Sequence, residues 1–313
     1  MLSNLIRRAF FLEQWKVGWS KRTIAEFLDA PETAETTWIE PSDKLSVLAD
    51  PFGLEEAGSL RIYAERILHG GPKGEIVSIK SEDPSPFASA LRKPWHLSYP
   101  FLLAEAGNLY LVPEQAEAGY IAFYEVNNGF QVNEDPDWVL EGLPSLDPTF
   151  LYHQGRWWLF SSSLQDQPQN TYLYLHYADN LRGPYTAHPA NPIVTSIGSA
   201  RPAGRVIALG ERLFRPAQDC SSGYGSSITV AEILNINTTT YAEKHHMTIR
   251  PADLRGAFAE GVHHLDHTAH YVLFDSKRFI FRWNAWWLKL REQEARKERL
   301  ALMYSPSPGF RRS

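Results

Sequence analysis

An all-β fold, a five-bladed β-propeller with a C-terminal α-helix, is what this 313-residue sequence predicts, and three observations carry that reading. A short pattern recurs as Asp50-Pro51-Phe52, Tyr99-Pro100-Phe101, Asp147-Pro148-Thr149, Arg201-Pro202-Ala203 and, in degenerate form, Glu260-Gly261-Val262, with the prolines 49, 48 and 54 residues apart. Apolar, aromatic segments of strand length, such as Leu60–Tyr63, Leu109–Val112 and Trp157–Phe160, lie between the members. A repeat of about 50 residues holding several short strands is the signature of a propeller blade. Aromatic residues make up 13%, with 10 Trp and 14 Tyr, which suits sheets stacked face to face.

Residues 1–44 form an N-terminal segment. A short helix is expected at Lys21–Leu28 with Thr23 as its cap, and a strand at Trp38–Glu40 that closes the ring against the last blade, since open edges invite mispairing. The propeller is expected over residues 45–283. Blade one gives Val47–Phe52, Ser59–Ala64 and Glu75–Ile79; blade two Leu97–Leu103, Asn108–Val112 and Tyr120–Val126. Blade three gives Asp147–Tyr152, Arg156–Ser161 and Tyr172–Tyr177; blade four Gly204–Leu209, Arg212–Pro216 and Ser226–Ile233. Blade five gives Gly261–Leu265, Ala269–Phe274 and Phe279–Trp283. Gly-containing turns separate the first two strands of several blades. The polar stretches Ser81–Trp95 and Asn127–Leu143 read as surface connections. Residues 284–313 carry a basic helix over Asn284–Met303 and a tail at Ser305–Ser313. This helix either packs on the propeller by its tryptophans or meets an acidic protein or a membrane surface.

The net charge of −5 argues against a nucleic-acid binder. One cysteine, Cys220, excludes an internal disulfide framework and is compatible with a reducing compartment. With no apolar stretch of signal-peptide or membrane-spanning length, the expected location is the cytoplasm.

The phase of the repeat says which residues meet. Inner-strand starts bring Asp50, Tyr99, Asp147, Arg201 and Glu260 to one axis. An antiparallel partner returns to the same end, so the position fourteen residues later adds Glu65, Glu114 and Asp275. Arg215, Gln218, Asp219 and His263 lie close by in sequence. Two carboxyl groups across a glycosidic bond can hydrolyse it, one protonated and one ionised, while arginines grip sugar hydroxyls. Alternatives stay open at single positions: Asp-Pro is a common turn pair, Asp219 can cap a turn, and a lone His is often structural. No His, Cys and Asp group has a metal-ligand spacing, and there is no P-loop or dinucleotide fingerprint.

Taken in order, Ala49-Asp50-Pro51-Phe52, Ile62-Tyr63-Ala64-Glu65, Ser98-Tyr99-Pro100-Phe101, Val112-Pro113-Glu114, Asp147-Pro148-Thr149, Ala200–Gly204 and Arg215–Cys220 resemble the N-terminal domain of glucosamine inositolphosphorylceramide transferases and its bacterial stand-alone relatives. The resemblance covers about Trp38–Phe281 and implies a propeller akin to arabinanase and β-xylosidase glycosidases. It does not imply the transferase reaction, which in the plant proteins belongs to a separate domain that this chain is expected to have no room for. It implies Asp50 as catalytic base and Asp147 as the orienting carboxylate. The general acid normally comes from blade four, where Arg201 stands; Glu260 is the replacement nearest in phase, with Glu114 and Asp219 as rivals. Glu65, Tyr99, Glu114, Arg201, Arg215, Asp219 and His263 would hold substrate. Some of those glycosidases place a His near an axial calcium, and His263 is the matching position. Two functions follow: a glycosidase-like enzyme acting on a saccharide or glycoconjugate, or a non-catalytic glycan-binding module or partner of a glycosyltransferase.

Overall fold

The computed structural model describes residues 9–304, apart from 42–43, 57, 72, 85–86, 128–129 and 144; the tail expected at Ser305–Ser313 lies outside the described residues. Among the described residues the strands form five antiparallel sheets arranged as a five-bladed propeller. Blade one comprises Ser46–Glu56, Ser59–Leu68, Glu75–Lys80 and Ala88–Leu91, and blade two Ser98–Glu105, Asn108–Glu114, Tyr120–Val126 and Trp138–Glu141. Blade three is built on Leu146–His153, Arg156–Ser162 and Tyr172–Ala178, with two short outer strands. Blade four comprises Ile207–Leu209, Arg212–Asp219, Ser227–Ile236 and Tyr241–Ile249. The stretches read from sequence as surface connections therefore contain the four-residue outer strands Ala88–Leu91 and Trp138–Glu141, too short to show an alternating pattern.

Ring closure uses a strand that the sequence reading passes over. Strand β1 (Phe11–Ser20) pairs along its whole length with Val272–Phe281 of blade five, and β2 (Thr37–Ile39), the expected closing strand, pairs with β1 one place further out. Blade five is thus ordered β2, β1, Val272–Phe281, Leu265–His267, and Phe279–Trp283 is not a separate strand. Ten ladder positions across β1 remove the edge that an open ring would expose. Helix α1 (Ile24–Asp29) starts in a capping box: Thr23 Oγ1 accepts the Glu26 N–H at 3.3 Å, and the Glu26 carboxylate accepts the Thr23 N–H at 3.0 Å.

The core lies between blades. Phe52, Tyr63, Phe101, Phe123 and Phe150 join blades one to three. Phe160, Leu175 and Leu213 join three to four; Phe214, Val230 and Phe274 join four to five. Val17, Trp19 and Leu273 pack on Leu48 and Ile62 to close five onto one.

Helix α2 (Ala285–Tyr304) docks against blades one, two and five, but not by its tryptophans. Ala285 and Leu288 are buried with Leu12. Glu292 accepts the Gly70 N–H at 2.9 Å and pairs with His69 at 3.1 Å, while Arg299 pairs with Glu117 at 3.1 Å. Trp283, Trp286 and Trp287 face solvent. No described helix is long and apolar enough to cross a membrane.

Candidate functional site

In blades one to three the recurring Xaa-Pro is a β-bulge. Asp50, Tyr99 and Asp147 have φ of 51°, 42° and 49°, each at a slip in the ladder, between Ala49 and Phe52, Ser98 and Phe101, and Leu146 and Thr149. Left-handed backbone costs a non-glycine residue on the order of 1 kcal/mol or more, and the bulge re-aims its side chain. For two of the three, a carboxylate from the preceding blade holds the strained amide. Asp50 N–H donates to Asp275 Oδ2 and Asp147 N–H to Glu114 Oε2, both at 3.2 Å. The return of the hairpin places these acceptors: Ala49 pairs with Glu65, Ser98 with Glu114 and Leu146 with Ser162.

The side chains gathered at that end line a cavity of about 260 Å³, among them Trp15, Asp50, Glu65, Glu114, Arg201, Tyr224 and His263. An adjoining chamber of about 340 Å³ shares Ile67, His96, Glu114 and Arg201 with it. Glu292, Arg296 and Arg299 of α2 line this second chamber. Trp15 stacks on His263 at 4.1 Å, Tyr224 meets His263 edge-on at 5.3 Å, and the Arg201 guanidinium lies 5.3 Å from the Tyr224 ring.

Two charge clusters share the cavity. In the first, His263 Nδ1 is 2.6 Å from Asp275, His263 Nε2 is 3.7 Å from Asp50, and His264 Nδ1 is 3.5 Å from Asp50. Burial would raise the Asp50 carboxyl, but the charges of His263, His264 and Arg201 outweigh it and hold it at about 2. Burial would lower His263, but Asp275 and then Asp50 outweigh it and raise the imidazole to about 9. In the second cluster, Arg201 bonds Asp147 twice, at 2.6 and 3.4 Å, and Asn170 at 3.0 Å. Burial and the Asp147 charge push the Glu114 carboxyl well above the usual carboxylate range, against the opposing pull of Arg201. Burial likewise raises Glu65, partly offset by His96 at 3.2 Å.

Asp50, Glu65, Glu114, Arg201 and His263 therefore meet in one cavity, with Asp147 behind them holding Arg201. Four expected residues do not join them. Glu260 is exposed on a turn. In blade one, Ala49 pairs with Glu65, sixteen residues on; in blade five Gly261 pairs with Lys277. His263, not Gly261, thus stands in the phase of the prolines, and Glu260 falls two residues short of the axis. In blade four Pro202 pairs with Ala217, which returns Gln218 to the axial end, where its amide donates to Asp147 at 3.3 Å. Asp219 and Arg215, one and three residues from Gln218, point to the other face. Arg215 is buried against Glu243 at 2.6 Å, and Asp219 caps the following turn through Ser221 N–H at 2.9 Å. Tyr99 shares the bulge, but its hydroxyl is buried between Thr149 Oγ1 at 2.7 Å and the Gly204 N–H at 2.9 Å.

Sequence reasoning missed Trp15, His96, Tyr224 and His264. The alternation Trp15-Val17-Trp19 signals a half-buried strand and was readable. His264 neighbours His263, and strand alternation, which lets only one of two adjacent residues face the axis, sets it aside, yet its ring comes within 3.5 Å of Asp50; nothing in the sequence marked His96 or Tyr224.

Asp50, His263 and Asp275 could each offer a ligand atom within 4.8 Å of the others. Both Asp275 oxygens are already engaged, Oδ1 by the backbone N–H groups of His263 and His264 at 3.0 and 3.2 Å and Oδ2 by Asp50 N–H. Calcium takes six to eight oxygen ligands, so this donor set does not fit the calcium that the resemblance suggests.

The family model described as glucosamine inositolphosphorylceramide transferase 1, N-terminal, matches residues 19–277. Glucosamine inositolphosphorylceramide transferase 1 of Arabidopsis thaliana is 32% identical over 209 residues, 63% of this chain and 26% of the plant protein. Its counterpart from Oryza sativa subsp. indica is 30% identical over 204 residues, 63% of this chain and 27% of that protein. The matched region thus spans about a quarter of these relatives. Among solved structures, the catalytic domain of the Coprinopsis cinerea GH62 α-L-arabinofuranosidase superposes with a TM-score of 0.53 at 14% identity, over 74% of this chain and 81% of that one, a likeness of fold. With a match across most of its length, the chain belongs to the family of the N-terminal region of glucosamine inositolphosphorylceramide transferase 1.

Proposed function

We propose that the axial cavity binds a saccharide, or the sugar part of a glycoconjugate, and hydrolyses a glycosidic bond with Asp50 as the ionised carboxylate and Glu114 as the protonated one. One observation carries this reading: two buried carboxyl groups line the same cavity in opposed electrostatic settings, Asp50 held down by His263, His264 and Arg201 and Glu114 pushed up by burial and the Asp147 charge. Glycoside hydrolysis needs that division, an acid that keeps its proton to protonate the leaving oxygen and a carboxylate that stays ionised opposite it. Glu114, a rival of Glu260 for the general acid under the resemblance, takes that role here. Arg201, whose guanidinium keeps N–H groups beyond those given to Asp147 and Asn170, supplies donors for sugar hydroxyls at the join between the two chambers, and the partly exposed ring of Tyr224 supplies a stacking face.

A second reading, glycan binding without turnover, draws on Arg201. It stands in blade four, the source of the general acid in the glycosidases that the motifs resemble, and it is locked to Asp147.

A glycan-array screen followed by hydrolysis assays on the hits separates the two. The name of the plant relatives makes inositolphosphorylceramide headgroups the first glycans to include. Asp50→Asn and Glu114→Gln should each lower kcat by about 10²–10⁴-fold, whereas Glu260→Gln should leave it unchanged. Turnover that survives Asp50→Asn removes the assigned base. Tight binding with no turnover by the wild type decides for the binding module.

A further inference from the structure

Helix α2 presents an apolar stripe to solvent. Its inward positions, Ala285, Leu288, Glu292 and Arg299, are spaced three, four and seven residues apart, one face of the helix. The outward ones, Trp286, Trp287 and Leu290, are 53%, 44% and 44% exposed, and Trp283, in the turn just before the helix, is 75% exposed. Phe281, 63% exposed and stacked on Phe10 at 6.3 Å, extends the stripe beyond the helix. With about 150–250 Å² per aromatic side chain and the exposed fractions above, the patch amounts to roughly 400–650 Å². A monomer rarely carries a contiguous apolar patch above a few hundred Å² without a use for it.

The charges around the patch choose the occupant. From Phe281 to Arg291 the chain holds the cations Arg282, Lys289 and Arg291 and no acid; the Lys289 ammonium donates to the Phe11 carbonyl at 2.7 Å, which leaves Arg282 and Arg291 to face the headgroups. The Arg291 guanidinium lies 4.9 Å from the Trp287 ring. Indoles beside cations are the chemistry of a helix lying in the headgroup layer of an anionic bilayer, where the rings enter the acyl boundary and the cations meet lipid phosphates. A second copy suits the patch less well. A two-fold axis would set the same cations against themselves.

We propose that the face formed by Phe281, Trp283, Trp286, Trp287 and Leu290 docks peripherally on an anionic membrane surface. The same helix lines the outer chamber through Glu292, Arg296 and Arg299, so docking brings that chamber within about one helix diameter, roughly 10 Å, of the headgroups. The docking does not depend on whether the cavity hydrolyses its ligand.

The test uses the full chain with vesicles of phosphatidylcholine containing roughly 30 mol% phosphatidylserine, against phosphatidylcholine alone. Co-sedimentation should show binding to the anionic vesicles that weakens at least tenfold without phosphatidylserine, with a blue shift of tryptophan fluorescence in the bound form. The triple variant Trp283→Ser, Trp286→Ser, Trp287→Ser should bind more than tenfold more weakly at an unchanged thermal midpoint. Arg291→Gln should weaken binding and reduce its salt dependence. A wild type that ignores both vesicles, or a triple variant that binds like the wild type, overturns the proposal. So does a dimer, seen by sedimentation velocity and abolished in the triple variant, in a protein that does not bind vesicles.

Discussion

Raising the pH from 6.5 to 9.5 should unload a buried imidazolium and weaken the fold. His263 is 3% exposed, between Asp275 at 2.6 Å and Asp50 at 3.7 Å. Burial alone would lower its pKa; the two carboxylates raise it to about 9, against 6.5 for an unstrained imidazole. A pKa raised in the folded state means that the native protein holds the proton more tightly than the unfolded chain. The resulting stability is fully present below pH 6.5 and is lost as pH climbs through 9. A gap of about 2.5 pH units, at about 1.36 kcal/mol each, amounts to about 3 kcal/mol. Asp50 works with the opposite sign, its contribution present above pH 3.8 and lost as pH falls through about 2, outside this range. Glu65 and Glu114, with raised pKa values, also weaken the fold as pH rises, so the variant must isolate the imidazole. His263→Gln keeps a polar side chain of similar reach and removes the charge. Urea unfolding at half-unit pH steps, with m checked for constancy, gives both profiles. The wild type should lose about 3 kcal/mol more than the variant across the range, the variant being less stable at pH 6.5 and nearly level with the wild type at 9.5. Parallel profiles would refute the ion cluster.

Two further perturbations probe the second cluster and the packing beneath it. Arg201→Met strands Asp147, itself 2% exposed, and should cost about 3–5 kcal/mol; adding Asp147→Asn should recover part of it. A double-mutant cycle by chemical denaturation should return a coupling above about 1.5 kcal/mol, and one below about 0.5 would contradict the pair. Gly204 has φ of 129°, and a Cβ there would stand 1.9 Å from the Leu265 carbonyl oxygen. Gly204→Ala should lower the thermal midpoint steeply, by the equivalent of more than about 4 kcal/mol, whereas Gly107→Ala, strained at φ 86° but in open space, should lose only about 1 kcal/mol.

What the sequence disclosed followed the ladder. Blades one to three keep the Xaa-Pro bulge, and there counting from proline correctly placed Asp50, Glu65 and Glu114 in the cavity and Asp147 beside it. Blades four and five keep the aromatic strands but change register, and there counting succeeded only in part: Arg201 and Asp275 reach the site, but the returning strand of blade four brings Gln218 to the axial end, and Glu260 leaves the axis altogether. A register slip of one or two residues is invisible in composition and decisive for side-chain direction. Strand β1 escaped for a different reason. It completes its blade against Val272–Phe281, more than 250 residues away, and the repeat supplies no anchor for it. Helix α2 was legible as a helix, but which face it buries depends on Leu12, Gly70 and Glu117, contacts that no local pattern encodes.

The bulge itself argues for caution about strain as a sign of function. Asp50, Tyr99 and Asp147 share the left-handed backbone and the same slip in the ladder, yet they do three different things. Asp50 faces the cavity, Asp147 anchors the arginine beside it, and Tyr99 ties blade two to Thr149 and Gly204 in the core. The strain is therefore a property of the blade, a way of turning the inner strand at the axis, and is held in two blades by a carboxylate from the blade before. That device makes Glu114 and Asp275 structural whatever else they do. Chemistry at Glu114 then has to coexist with its grip on the Asp147 amide. A Glu114→Gln variant keeps an oxygen to accept that N–H while removing the proton that an acid would donate, so a kcat loss at unchanged stability separates the two roles. Loss of stability alone would return Glu114 to the scaffold and leave the cavity without its acid.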